Sequence, residues 1–115
     1  MPPTGFAKTI DVGAISANEN RQYAETTDPL STIRNLYGYV NYITVTNMST
    51  NINLMILLDG DSSRQIFVPG GAIVTWDNQS FRYFNLVNLT ANTSAGGEVY
   101  ILVGFEPGAT VTGLK

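Results

Sequence analysis

Apolar residues in this 115-residue chain recur mainly at every second position, in short runs interrupted by clusters of Gly, Pro, Asn, Asp and Ser. A period of two sends successive side chains to opposite faces of a strand, whereas no window sustains the 3.6-residue period of an amphipathic helix. The pattern predicts strands over 6–12, 21–25, 40–46, 52–58, 64–68, 72–76, 81–89 and 98–105. Between them lie turn-forming stretches such as SANEN, NMSTN, DGDSS, PGG, DNQS and TANTSAGG. About eight short strands at regular spacing, with no intervening helices, predict an all-β fold, a single antiparallel sandwich over residues 1–115. Residues 1–5 and 107–115 fall outside the pattern and are read as terminal arms.

Several stretches depart from simple alternation. In INLMILL, Ile52, Leu54, Ile56 and Leu58 share one face while Met55 and Leu57 occupy the other, and in VYILV the core set Val99, Ile101, Val103 alternates with Tyr100 and Leu102. A half-solvated sheet needs only one apolar face, so the second must be covered either by loops or by another subunit. The segment 26–39, TTDPLSTIRNLYGY, is the least strand-like. It is read as a long connection with a helical turn from Pro29, capped by Asp28. The Asp-Gly of DGD and the PGG at 69–71 read as two tight reversals that make 52–76 a three-stranded meander. A faint echo links IDVGAIS at 10–16 with IFVPGGAIV at 66–74, one match being too little to establish a repeat.

Composition sharpens this picture. Only 13% of residues are charged, and polarity comes instead from 11 Asn, 13 Thr and 7 Ser, residue types that suit pleated surfaces and turns. The formal charge is −3, and the six basic residues stand singly at Lys8, Arg21, Arg34, Arg64, Arg82 and Lys115. Nucleic-acid binding draws on clustered basic residues, so no nucleic-acid partner is expected. No apolar run approaches the ~20 residues that span a bilayer, so no membrane partner is expected either. MPPTGFAKTIDVG has neither the charged nor the long apolar region of a secretory signal.

Candidate chemistry is sparse. Histidine and cysteine are both absent, which removes the commonest general base, the commonest zinc ligand and every thiol mechanism. No phosphate-binding glycine motif and no cofactor motif is present, and an enzyme is not expected. Paired carboxylates remain, and the most conspicuous are Asp59 and Asp61 in LLDGDSSRQ. A calcium loop would continue through Ser63 and close on a carboxylate at its twelfth position, which here is Gly70. Asp77 offers a further ligand from another loop, but the simpler reading is a turn in which Asp59 bonds its own backbone and Gly60 accepts a positive φ. Four N-x-[S/T] sequons, at Asn47, Asn78, Asn88 and Asn92, exceed the roughly two expected by chance and admit glycosylation. Tyr37, Tyr39, Tyr42, Trp76, Phe81, Tyr83 and Phe84 admit a sugar-stacking platform, though alternation within strands makes core or subunit contact the simpler role.

The run YITVTNMSTNINLMILLDGDSSRQIFVPGGAIVTWDNQSFRYFNLVN, continued by GGEVYILVGFEP, resembles the small β-sandwich proteins of tailed phages and other icosahedral viruses. The resemblance spans 40–106. It lies in an I-x-V-x-N strand, an apolar strand after a short turn, a Pro-Gly turn before the strand that ends on Trp76, and a final V-x-I-x-x-G strand. It implies a jelly-roll-like sandwich located in the virion, a decoration, cement or minor capsid protein that stabilises the shell. It also implies a homo-oligomer, a trimer foremost, with viral capsid proteins as partners. It assigns no functional residue. A carbohydrate-binding module or receptor-binding spike head, with a glycan as partner, is the alternative from a different class.

Overall fold

The computed structural model describes residues 6–77 and 80–105. Eight strands follow the predicted order: β1 Phe6–Asp11, β2 Asn20–Tyr23, β3 Tyr42–Asn47, β4 Leu54–Leu58, β5 Gln65–Val68, β6 Ile73–Trp76, β7 Phe84–Asn88 and β8 Val99–Phe105. They form two four-stranded sheets of order β1-β8-β3-β6 and β2-β7-β4-β5. Every pairing is antiparallel. The predicted seventh strand starts late for a local reason. Phe81 pairs only as an isolated bridge with Val40, and the N–H groups of Arg82 and Tyr83 are turned aside to the Asp59 carboxylate.

The pairs β1·β8, β2·β7, β3·β6 and β4·β5 are nested about one point, the loop between β4 and β5 near the middle of the chain. A ribbon doubled there and wrapped into two sheets is the jelly roll. This corrects the expected three-stranded meander. β4 and β5 do form a hairpin, but β6 leaves for the other sheet and pairs with β3. The PGG stretch enforces that crossing. The N–H of Gly71, at φ 83°, donates to the carbonyl of Asn47 at 2.8 Å, which draws the chain to the β3 side. Gly70 lies so close to this segment that a Cβ would sit 2.8 Å from the Ser49 carbonyl oxygen.

The core between the sheets is aliphatic, with Ile43, Val45, Ile101 and Val103 from one sheet meeting Leu54, Ile56, Val68 and Leu86 from the other. One end is closed by α1 Leu30–Tyr37, two turns long where one was expected. Leu30 and Ile33 are fully buried beneath it, and Tyr37 stacks on Phe105 at 4.7 Å. Its start differs from the expected cap. Pro29 precedes the helix, no side chain caps its backbone, and Asp28 instead accepts from the Thr32 hydroxyl. The helix stops at Gly38, whose left-handed φ of 92° lets its N–H reach the Arg34 carbonyl. Among the described residues no helix is long and apolar enough to cross a membrane.

The two halves of the chain repeat one another within this topology. The echo between 10–16 and 66–74 begins within β1 and β5, the first strand of each half, and runs on past both. The third strands match over a longer stretch: YITVTNMSTN at 42–51 and YFNLVNLTAN at 83–92 share Tyr, Asn, Ser/Thr and Asn at the same spacings. The fourth strands read LMILL and VYILV. Exchanging β1–β4 with β5–β8 converts the order of one sheet into that of the other. Backbone bonds repeat likewise, Met48 N–H to Glu98 O at 2.8 Å matching Leu89 N–H to Asn53 O at 2.9 Å.

Candidate functional site

The DGD corner was the leading candidate for chemistry, and its two carboxylates have separate local tasks. Asp59 sits at φ 56° with Gly60 at φ 67°, so the chain turns through two left-handed residues. The sequence leads one to expect Asp59 to bond its own backbone, but its carboxylate reaches other segments instead. Its Oδ1 accepts the N–H groups of Arg82 at 2.7 Å and Tyr83 at 3.3 Å, while Oδ2 accepts Arg64 Nη1 at 2.8 Å. Arg64 Nη2 donates to the carbonyl of Ser80 at 2.6 Å. The apex of the hairpin is thereby fastened to the segment entering β7. Asp61 is the residue that bonds locally, accepting the N–H and hydroxyl of Ser63 at 2.9 and 2.7 Å. Those bonds hold its carboxyl below the ordinary carboxylate range. Asp77 is exposed after β6, and among the described residues no group of three acidic side chains is placed to hold a metal ion.

Other charged residues also serve loops. Glu19 accepts Arg21 Nε and the Ser16 N–H, both at 2.8 Å, and the arginine lowers its pKa. Arg21 continues to the carbonyls of Val12 at 2.5 Å and Ala14 at 2.8 Å, tying the β1–β2 connection to β2. Glu98 accepts the N–H of Ala95 at 2.9 Å. Glu25 faces Arg34 at 3.4 Å and Arg82 at 3.5 Å.

Two of the four sequons are interior pins. Asn47 is fully buried at the end of β3, donating to the carbonyls of Ile52 at 3.0 Å and Val68 at 3.3 Å while its Oδ1 accepts the Ser49 N–H at 3.1 Å. Asn88 occupies the matching end of β7, donating to Ser16 and Asn92 and accepting both N–H and hydroxyl of Thr90. The spacing that resembles a glycosylation signal is here a side-chain turn, in which Asn bonds the residue two positions on. Asn92 is exposed and donates to the Asn51 carbonyl at 2.8 Å, while Asn78 lies outside the described residues.

The aromatic residues do not assemble a platform. Phe81 and Phe84 are buried edge to face at 6.3 Å, and Tyr37 and Tyr39 both pack on Phe105. Trp76 packs against the core, the Tyr42 hydroxyl accepts from Thr44, and the Tyr83 ring lies over Gly60. Two exposed aromatics lie outside that set, Phe67 and Tyr100. Tyr100 is the one in a groove. It stands beside its cross-strand partner Asp11 in an open groove of about 330 Å³ that also includes Thr9 and Gly97.

The broad outer face of the β2-β7-β4-β5 sheet is the remaining candidate. One cross-strand row reads Asn20, Val87, Met55, Phe67, and the next reads Gln22, Asn85, Leu57, Gln65. Four apolar side chains thus lie beside four carboxamides, with no charge among them. Leu89 flanks the face, 43% exposed, and Phe67 is 53% exposed on the edge strand. On the second face of INLMILL, Met55 and Leu57 are half-buried among the described residues. Comparison with family models, curated proteins and solved structures returned no match. The resemblance to virion proteins therefore rests on the residue pattern alone.

Proposed function

We propose that this chain is a structural protein that acts by adhesion, a jelly-roll module that associates with itself and stabilises a viral shell as a decoration, cement or minor capsid component. The observation that carries this reading is the distribution of apolar side chains. Met48, Phe67, Ile73, Leu89 and Tyr100 are all more than two-fifths exposed and occur on both sheets or their margins. Meanwhile Asp59, Asp61, Glu19 and Glu98 are engaged in holding loops. Rigid faces with apolar residues to spare suit lasting contact, and they offer no poised acid or base for turnover. The test is co-sedimentation of the purified chain with particles lacking it. Saturable binding at a fixed number of copies per particle is expected, and free chain at every ratio would contradict the reading.

A glycan-binding role keeps one supporting observation, the groove where Tyr100 stands half-exposed beside Asp11. Aromatic faces with adjacent acceptors suit sugar rings. Specific glycan-array binding that Tyr100→Ala abolishes would favour that role over the first.

A further inference from the structure

We infer that the outer face of the β2-β7-β4-β5 sheet is a two-fold contact, on which a second copy of this chain lays the same face. This rests on the adhesive function proposed above and specifies its surface and its partner.

The choice of occupant follows from the chemistry of the face. In a two-fold contact each residue near the axis meets itself or a close neighbour from the other copy, so any charge there meets its own sign. The outward side chains of these four strands carry no charge. Their apolar members form one block, since Met55 is the direct cross-strand neighbour of both Val87 and Phe67, and Leu57 is two residues along the same strand. The polar members are all carboxamides, which donate and accept, so an identical group opposite can be satisfied in either direction. A partner chosen by charge would find nothing here to read. The other broad face differs in carrying a charge, Asp11, outward in register with Tyr100. The β4 strand explains why the block is apolar at all. Its inward set, Leu54, Ile56 and Leu58, already fills the core, so Met55 and Leu57 are surplus to the fold of one chain.

Size sets the strength of the contact. Four strands about 4.8 Å apart and five residues at about 3.4 Å make a face roughly 19 by 17 Å. Two such faces bury roughly 650 Å² in total, less than a stable dimer needs, so association through this face alone is weak, reversible and concentration-dependent. A copy held on a shell at high local concentration would pair readily, while a dilute chain would separate. The two-fold contact also predicts a dimer, not the trimer that the viral resemblance implies.

The test compares the mass in solution of the whole chain and three variants over a concentration series, by light scattering after size exclusion. Phe67→Lys and Val87→Lys place a charge on the face; Ile73→Lys places one on the other sheet at a residue 68% exposed. Far-ultraviolet circular dichroism confirms folding, and Phe67, on the edge strand, is the substitution that a single chain tolerates best. The expected result is a rise from the 12.5 kDa monomer toward twice that mass for the unaltered chain and Ile73→Lys, with the midpoint raised at least about tenfold by Phe67→Lys. If the chain associates and neither lysine on the face weakens it, or if a trimer forms, this assignment is wrong while the adhesive function stands. If the chain stays monomeric yet binds particles through Phe67, the face docks on the shell and not on a copy. If it stays monomeric and binds no particle, both readings fall.

Discussion

At the residue scale, the polar side chains that look most like chemistry are those that hold the fold in register. Asn47 and Asn88 tie the ends of β3 and β7 to the backbone of neighbouring loops and strands. Replacing either by Ala removes two donors to backbone carbonyls and the acceptor of an N–H, which should lower stability by about 1–3 kcal/mol in urea unfolding. A loss under about 0.5 kcal/mol would show that water replaces the amide freely. The same burial predicts that Asn47 and Asn88 carry no glycan when the folded protein is recovered from a glycosylating host, as intact-mass spectrometry would reveal. Asp59 and Asp61 should separate just as clearly. Asp59→Ala removes the acceptor for two N–H groups and an arginine and should cost about 2 kcal/mol, whereas Asp61→Ala, on an exposed loop, should leave the denaturation midpoint nearly unchanged. The DGD signature was legible as a turn, but the identity of the working aspartate was not. That depends on Arg82 and Tyr83, which arrive from a distant part of the chain.

At the element scale, alternation sufficed to locate the eight strands of the described residues, because each turns one face toward the same core. It did not say which strands pair. PGG read as an in-sheet reversal, and only the bond from Gly71 to Asn47, with the tight approach of Gly70 to Ser49, turns it into a crossing between sheets. Gly70→Ala would drive a Cβ into backbone atoms that cannot yield separately and should cost more than about 2 kcal/mol. Gly71→Ala meets open space and bears only the strain of positive φ, about 1 kcal/mol. Equal losses in thermal unfolding would argue that the crossing is not closely packed. The helix is understated by its sequence because Ser, Thr and Asn dilute its propensity, although Leu30, Ile33 and Tyr37 carry the spacing of a buried face. The repeat was equally hard to see, since an insertion before β8 shifts its register.

For the whole molecule, the absence of histidine and cysteine fixes the pH response. Glu19 has a folded-state pKa below its unfolded one, so it favours the fold above about pH 4 and loses that contribution as the pH falls through the lower value. No side-chain type in the sequence has its ordinary pKa between 6 and 8. The thermal midpoint should therefore be level across about pH 6–8 and fall below about pH 4; a step near neutrality would reveal a titrating group that this fold does not account for. The fold class was legible in the sequence because periodicity is a property of each strand. The surface that acts was only half legible, since a row such as Asn20, Val87, Met55, Phe67 draws on four strands and exists only after pairing. The lack of any native cysteine makes that surface open to one direct measurement. In a Met55→Cys variant, mild oxidation should convert most of the chain to a disulfide-linked dimer, while Ile73→Cys under the same conditions should remain largely monomeric. Equal cross-linking of the two, or none at Met55, would contradict the two-fold contact.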